Sequence, residues 1–291
     1  MVKKLLITGA TGFLGWNLCQ VSAAHWQVFG TYHHHASAPT GVTLIPIDLR
    51  QFAILQDLLR TVHPDAVIHL AALSSPNLCQ QHPQDSYQLN VRLAGNLAGL
   101  CADAKIPLLF TSTDQVFDGR RGFYRETDPV CPINRYGEHK ALAEAEIRTR
   151  HPSAIVCRMP LMFGVAPSSN NFLQSFLRTL RSGQELNLFT DEIRTPVSGQ
   201  TAARGLLLAL DKAPDLLHLG GRERISRYEF GRLMGEVFDL PQARLIPCRQ
   251  QDVPMPAPRP ADVSLDSAKA IGLGYDPPSL RNELISLKGF L

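Results

Sequence analysis

No stretch of this 291-residue sequence holds the roughly 20 consecutive apolar residues that a membrane-spanning helix needs. The opening MVKKLLITGATGFLG carries only a short apolar run, broken at once by glycines, so neither a signal peptide nor a membrane span is expected. Charge of one sign is not in excess: 29 Lys and Arg stand against 26 Asp and Glu, a net +3, and no basic run stands out. Nucleic acid is therefore not an expected partner. Cysteine is sparse. Cys19, Cys79, Cys101, Cys131, Cys157 and Cys248 are scattered with no CxxC pair, which argues against a structural zinc site and for reduced, mostly buried thiols in a cytoplasmic protein. No repeat or low-complexity segment is visible, and no metal is expected. What is present is 44% hydrophobic residues, ordinary for a real core, in a length that permits one large domain or two modest ones.

The first half alternates apolar runs with longer amphipathic stretches. KKLLITG, WQVFGTY, VTLIPID, PDAVIHLAA, IPLLFTST and SAIVCRMP read as strands; FLGWNLCQVSAAH, FAILQDLLRTV, DSYQLNVRLAGNLAGLCADA and NRYGEHKALAEAEIRTR read as helices. This alternation signals an α/β fold, a doubly wound parallel sheet with helices on both faces and right-handed connections. Past Pro160 the pattern loosens and prolines multiply, notably in DVPMPAPRPADV. The expected organisation is a main domain over 1–160 and a smaller C-terminal region over 161–291, with a segment near 197–220, including LLHLGG, returning to the main sheet.

The first strand runs into LLITGATGFLGWN, which sets Gly9, Gly12 and Gly15 in a strand-turn-helix context. One glycine permits the tight turn, one lets a pyrophosphate approach the backbone, and one lets helix and strand pack closely. The helix amino terminus then offers free N–H groups and partial positive charge to the anion. A glycine-rich turn with no ligand is the bland alternative. The context favours a Rossmann-type dinucleotide-binding domain, with Gly9, Thr11, Gly12, Phe13, Leu14 and Gly15 around the cofactor.

An NAD site usually closes strand two with an acid for the ribose 2′-hydroxyl. VFGTYHHHASAP has none: Tyr32 is followed by His33, His34 and His35. A 2′-phosphate is then not repelled, so NADP is expected, with NAD the alternative because no arginine stands there. Three adjacent histidines rarely converge on one ion, and they read as a surface loop. Asp48, followed by Leu49, is placed to meet an adenine amino group or to cap the helix FAILQDLLRTV. In HLAAL, after Leu70, the small Ala71 and Ala72 stand where a cofactor must pass.

In RYGEHK, Tyr136 and Lys140 share a helix face one turn apart. Hydride transfer to a ketone builds charge on oxygen, and a general acid must supply a proton there. A free tyrosine, with a pKa near 10, is sluggish at neutral pH, and a neighbouring ammonium is expected to lower that value. The spacing alone is common on solvated helices. Its setting is not: FTSTDQVFDG puts Ser112 and Thr113 at the carboxyl end of a strand, where ligands bind in open α/β sheets. A Ser/Thr/Asp turn would also explain that cluster.

These residues resemble the extended short-chain dehydrogenase/reductase family: the matching pieces are TGATGFLG, HLAA, FTSTDQVFDG and RYGEHK. Within that family the sequence is similar to the dTDP-4-dehydrorhamnose reductase subgroup, over STDQVFDG, YRETDPVCPINRYGEHKALAEAEI, DEIRTPVSGQTAARGLLLAL, LHLGG and RPADVSLD, nearly the whole chain. The resemblance implies a catalytic set of Thr113, Tyr136 and Lys140, the last two also cofactor contacts, and hydride delivery from a nicotinamide to a 4-keto nucleotide-sugar. It makes Asn90 a supporting residue. The subgroup usually has tyrosine where Gln115 stands, and often an aromatic where Leu161 stands; both departures lie on the substrate side and leave the sugar open.

Substrate contacts are expected from Asp114 and Gln115 past Thr113, from Leu73 and Ser74 past the cofactor strand, from Asn171 and Phe172 at a helix start, and from Arg194. Arg194 would pair with a diphosphate through its fork of donors or, alternatively, form a surface salt bridge with Asp191 or Glu192. Two further functions compete with the reductase. One is a non-catalytic regulatory subunit resembling the beta subunit of methionine adenosyltransferase; the other is an epimerase or dehydratase, against which the missing acid after strand two and the lack of Glu after Asp114 both count. A homodimer pairing helices 85–104 and 134–150 across a two-fold axis is one expected assembly.

Overall fold

The strands that carry the site are apolar on both faces, and this drives them to the centre of a sheet covered on both sides. In the computed structural model, which describes residues 2–33, 37–167, 171–242 and 244–290, the chain opens β1 (Lys4–Thr8), α1 (Phe13–Ser22), β2 (Gln27–Tyr32), β3 (Val42–Pro46), α2 (Phe52–Val62) and β4 (Ala66–His69). There follow short helices α3 (Pro76–Gln81) and α4 (Pro83–Tyr87), a π-helical turn at Gln88–Arg92, and α5 (Leu93–Asp103). Next come β5 (Leu108–Thr113), α6 (Arg135–Arg150), β6 (Ile155–Met159) and the short β7 (Met162–Phe163). The remainder holds α7 (Phe172–Arg181), β8 (Leu186–Phe189), β9 (Ile193–Arg194), β10 (Val197–Ser198), α8 (Gly199–Lys212) and β11 (Leu216–His218). The chain closes with β12 (Ile225–Ser226), α9 (Arg227–Val237), β13 (Leu245–Cys248), α10 (Ala268–Gly272) and α11 (Leu280–Ser286).

Seven strands form one parallel sheet in the order β11-β6-β5-β4-β1-β2-β3. The doubly wound sheet expected from the alternation is present, and the order reverses between β1 and β4, the crevice where such sheets hold ligands. Its two faces carry separate cores. On one, Leu5 and Ile7 of β1 pack with Leu14, Leu18 and Cys19 of α1 and with Ala202, Ala203, Leu206 and Ala209 of α8. On the other, Leu6 packs with α2, with Leu93, Leu97 and Cys101 of α5, and with Ala143 and Ile147 of α6. Helix α2 shows why the sequence pattern works: Leu55, Leu58, Leu59 and Val62 recur at helical spacing and are all buried, each stabilising by about 2 kcal/mol.

The segment from Val197 to His218 crosses under the sheet as α8, against α1, and adds β11 beside β6. The rest of the C-terminal half has its own core around Phe163, Leu173, Leu177, Phe230, Met234 and Leu284. Its strands pair only in twos: β10 with β7, β12 with β9 and β13 with β8.

One element differs from its sequence reading. The single long helix expected over 85–104 is interrupted by the π turn, and a separate helix, α3, precedes it, started by Pro76 and capped by Ser75. The widened turn carries Asn90, whose Oδ1 accepts from Leu73 N at 2.9 Å while its Nδ2 donates to Leu73 O at 3.0 Å. The π turn shifts Asn90 off regular α spacing, and local periodicity carries no sign of it.

Candidate active site

A cleft of about 680 Å³ opens over the carboxyl edge of the sheet. One end is built from backbone. Gly9 has φ +70, and a Cβ there would lie 2.9 Å from the backbone of Ala71; a Cβ on Gly15 would lie 2.2 Å from Gly9 O. Only hydrogen fits at either place. Gly12 is the N-cap of α1 and offers no side-chain cap to the first N–H groups of the helix, which begins at the cleft. The loop is tied down by Gly9 N donating to Thr31 Oγ1 at 3.3 Å and by Leu70 N and Ala71 N donating to Thr8 Oγ1 at 3.1 and 3.2 Å. Gly9, Gly12, Phe13, Leu14, Gly15, Leu70, Ala71, Ala72 and Ser74 all line the cleft; Thr11, in the same turn, does not. A cradle that a methyl group would fill, at an uncapped helix start, fits a dinucleotide pyrophosphate.

Tyr32, His33, Asp48 and Leu49 line the adjoining wall, and His34 and His35 lie outside the described residues. Asp48 does not cap α2; Gln51 holds that position. Instead Asp48 is gripped by Arg50, with Nε 2.8 Å from Oδ1 and Nη2 2.6 Å from Oδ2, and this guanidinium holds the carboxyl down at about 2. His33 Nε2 stands 4.0 Å from the same carboxylate. Arg50 also lines the cleft. Sequence reasoning missed it because it sought an arginine at the end of the second strand; this one follows the third, two residues beyond the acid.

Thr113, Tyr136 and Lys140 all line this cleft and are nearly fully buried, with the Thr113 hydroxyl against Tyr136. β5 delivers Thr113. Helix α6, capped by Asn134 Oδ1 accepting from Gly137 N at 2.9 Å, delivers the other two from its first turns. The electrostatics differ from the expectation that Lys140 lowers the tyrosine. In the protein alone, burial dominates both groups: it raises Tyr136 well above its ordinary value, and the Thr113 hydroxyl pulls it part of the way back. Burial drives Lys140 down to about 7, opposed by the Glu144 carboxylate one turn along the helix. Lys140 Nζ lies 3.9 Å over the ring of Phe110, and Glu144 is held by Arg158 through contacts of 3.0 and 2.7 Å. Glu144, held in place by Arg158 and absent from the sequence reading, therefore supports the charge of Lys140. Asn90 reaches the same region through Ser86 Oγ (3.2 Å), which lies 2.7 Å from Nδ1 of His139, the residue before Lys140.

Charged side chains build the far end. Asp114, Gln115, Leu161, Glu192, Arg194 and Arg227 line it. Gln115 Oε1 accepts from Asn134 Nδ2 at 3.1 Å. Arg194 forms no surface salt bridge: at 3% exposure it is buried, its Nε 3.4 Å from Asp114 Oδ2 and its Nη2 3.4 Å from Glu192 Oε1. Its Nη1 donates to Ile193 O at 2.8 Å and Pro260 O at 3.2 Å. Asn171 stands outside the lining. Its Oδ1 accepts from Gly164 N and Leu173 N and its Nδ2 donates to Met162 O, so it caps α7 and pins the strand before it. Arg227 had no signal in the sequence, because it begins α9, far along the chain from every motif.

The chain is similar over 290 residues, 97% of its length and 96% of the relative's, to a "probable low-salt glycan biosynthesis reductase Agl14" of Haloferax volcanii, at 30% identity. It is 29% identical over 287 residues, 95% of its length and 84% of the relative's, to methionine adenosyltransferase 2 subunit beta of Xenopus laevis. Its fold superposes with a TM-score of 0.88 on a dTDP-4-dehydrorhamnose reductase of Bacillus anthracis solved in complex with NADP, covering 99% of each chain at 21% identity. The model of one family, the RmlD substrate binding domain, matches residues 3–287, and the chain belongs to that family.

Proposed function

We propose that the protein is an NADP(H)-dependent reductase of a 4-keto nucleotide-sugar, acting in the cytoplasm. The observation that carries this reading is the convergence of Thr113, Tyr136 and Lys140 with the glycine loop on one cleft. The likeness to the Haloferax and Bacillus reductases supports the reaction class, and the NADP held by the latter supports the cofactor. Arg50 and His33 at the cleft wall favour a 2′-phosphate over a bare ribose.

A reduced nicotinamide, when bound, supplies the hydride. The chain's own residues handle the proton. Thr113 orients the ketone oxygen beside the Tyr136 hydroxyl. Because burial keeps that hydroxyl protonated, Tyr136 enters the reaction as a donor, which suits reduction. As negative charge gathers on the tyrosine oxygen, Lys140 stabilises it with the charge that Glu144 helps it keep. Water returns the proton to Tyr136 afterwards.

Oxidation of NADPH against a panel of nucleotide-linked 4-keto sugars tests the reading. Tyr136→Phe is expected to reduce turnover by about 10²- to 10⁴-fold with NADPH affinity kept. The likeness to a methionine adenosyltransferase subunit supports a second reading, a regulatory subunit. That reading is favoured if no keto-sugar is reduced and a stable partner protein co-purifies.

A further inference from the structure

Arg227 stands where α9 begins, at the charged end of the cleft. Its guanidinium is held on two sides. Nε donates to Glu192 Oε1 at 3.1 Å, and the group lies over the ring of Phe172, 4.6 Å from the centroid. Its Nη1 is buried and has no hydrogen-bond partner among the described residues. Leaving such a donor unmet is costly unless a ligand completes it. Asp114 is the acceptor counterpart: its Oδ2 is buried, is ion-paired with Arg194 Nε at 3.4 Å and accepts no hydrogen bond among the described residues. Both residues line the one cleft. They are joined through Arg194 and Glu192, in a string of side chains that starts at Thr113, whose Oγ1 donates to Asp114 Oδ1 at 3.1 Å.

A ligand that satisfies both ends carries an anion at one and a hydroxyl at the other. The net field agrees: Arg194, Arg227 and Arg259 act together on Glu192, and the carboxylates facing them are Asp114 and Glu192. Three cations against two carboxylates favour an anionic ligand. Arg194 is the weaker candidate for the contact, because its Nη1 already donates to Ile193 O and Pro260 O and the side chain is almost wholly buried. Arg227 is preorganised by its two supports, so little rotamer freedom is lost when it binds.

We propose that Arg227 Nη1 receives the diphosphate of the substrate while Asp114 Oδ2 accepts from a sugar hydroxyl, which makes Arg227 the residue that selects nucleotide-linked sugars over free ones. The geometry alone carries the anion; its identity as a diphosphate, and the sugar hydroxyl, rest on the reductase reading.

The test uses the NADP-loaded protein, titrated by calorimetry with a nucleoside diphosphate, with pyrophosphate and with the matching nucleoside. Arg227→Gln is expected to weaken the first two about 10- to 100-fold and to leave the nucleoside and NADP unchanged, the size of one lost charge-assisted hydrogen bond. Arg227→Lys, which keeps the charge over Phe172 and loses the planar fork, is expected to weaken them several-fold, and it reads the same quantity should the glutamine variant not fold. Unchanged diphosphate affinity in either variant, or an equal loss for the nucleoside, overturns the proposal. Diphosphate binding that depends on Arg227 in a protein that reduces no keto-sugar leaves the proposal standing and removes the reductase reading. Turnover with a KM indifferent to Arg227 does the reverse.

Discussion

The two ends of one cleft are made of different material. The cofactor end is mostly backbone: N–H groups at the start of α1 and glycines too tightly placed to carry a Cβ, all within one strand-turn-helix unit. At the proposed substrate end the walls include charged side chains from positions 114, 192, 194 and 227, brought together from three separate stretches of the chain. A site of backbone dipoles is fixed once the local fold forms and holds the same charge at every pH. One made of buried ion pairs depends on each partner, and its charge changes when one of them titrates.

The contrast is broken most forcefully at Gly15. Gly15→Ala puts a methyl against Gly9 O and Ala10 Cα, at 2.2 and 2.7 Å, both backbone atoms that do not yield. A loss of about 3 kcal/mol in stability is expected, with NADPH binding lost by fluorescence titration. Gly272→Ala meets nothing within 4 Å and is expected to leave binding intact. Next in size is Arg50→Gln, which removes the side chain gripping Asp48 at the cofactor wall. NADPH affinity should fall about tenfold, with NADH affinity unchanged, since only a 2′-phosphate loses a charged donor. An equal loss for both would assign Arg50 to the fold and not to the cofactor.

The smallest effect sharpens the comparison by pH. Burial raises Asp114 to about 6, so below that pH it becomes neutral and the substrate end grows more positive. A nucleoside-diphosphate sugar keeps its charge in this range. Its affinity for the NADP-loaded protein should therefore rise about two- to threefold as the pH falls from 7 to 5, and Asp114→Asn should reduce that dependence to the part that Lys140, down at about 7, contributes. A flat profile in the unaltered protein would mean that Asp114 does not face the ligand.

Legibility along the chain follows the same division. The glycine loop, the apolar strands and the Tyr136–Lys140 spacing are short-range patterns, and each was readable because the physics that needs it acts within a turn or a strand. Asn90 was readable as a polar residue on a helix, but not as a clamp on Leu73, because the π turn that aims it has no local sequence signature. Arg194 was readable as a charge near acids, and its burial was not, since exposure depends on what β12 and the segment near Pro260 lay over it. Asn171 looked like a pocket residue from its place after a loop; its side chain is consumed by α7 and Gly164.

By itself, then, the sequence determined the sheet, the glycine cradle and the placement of a phenol one turn from an amine. Hydrophobic period, glycine sterics and helix pitch operate over a few residues, and that is why these features were legible. Tertiary structure alone decided the charge state of that pair and the composition of the substrate end. Desolvation depends on everything packed around a group, and an ion pair such as Asp114 with Arg194 exists only once segments 80 positions apart are folded against each other.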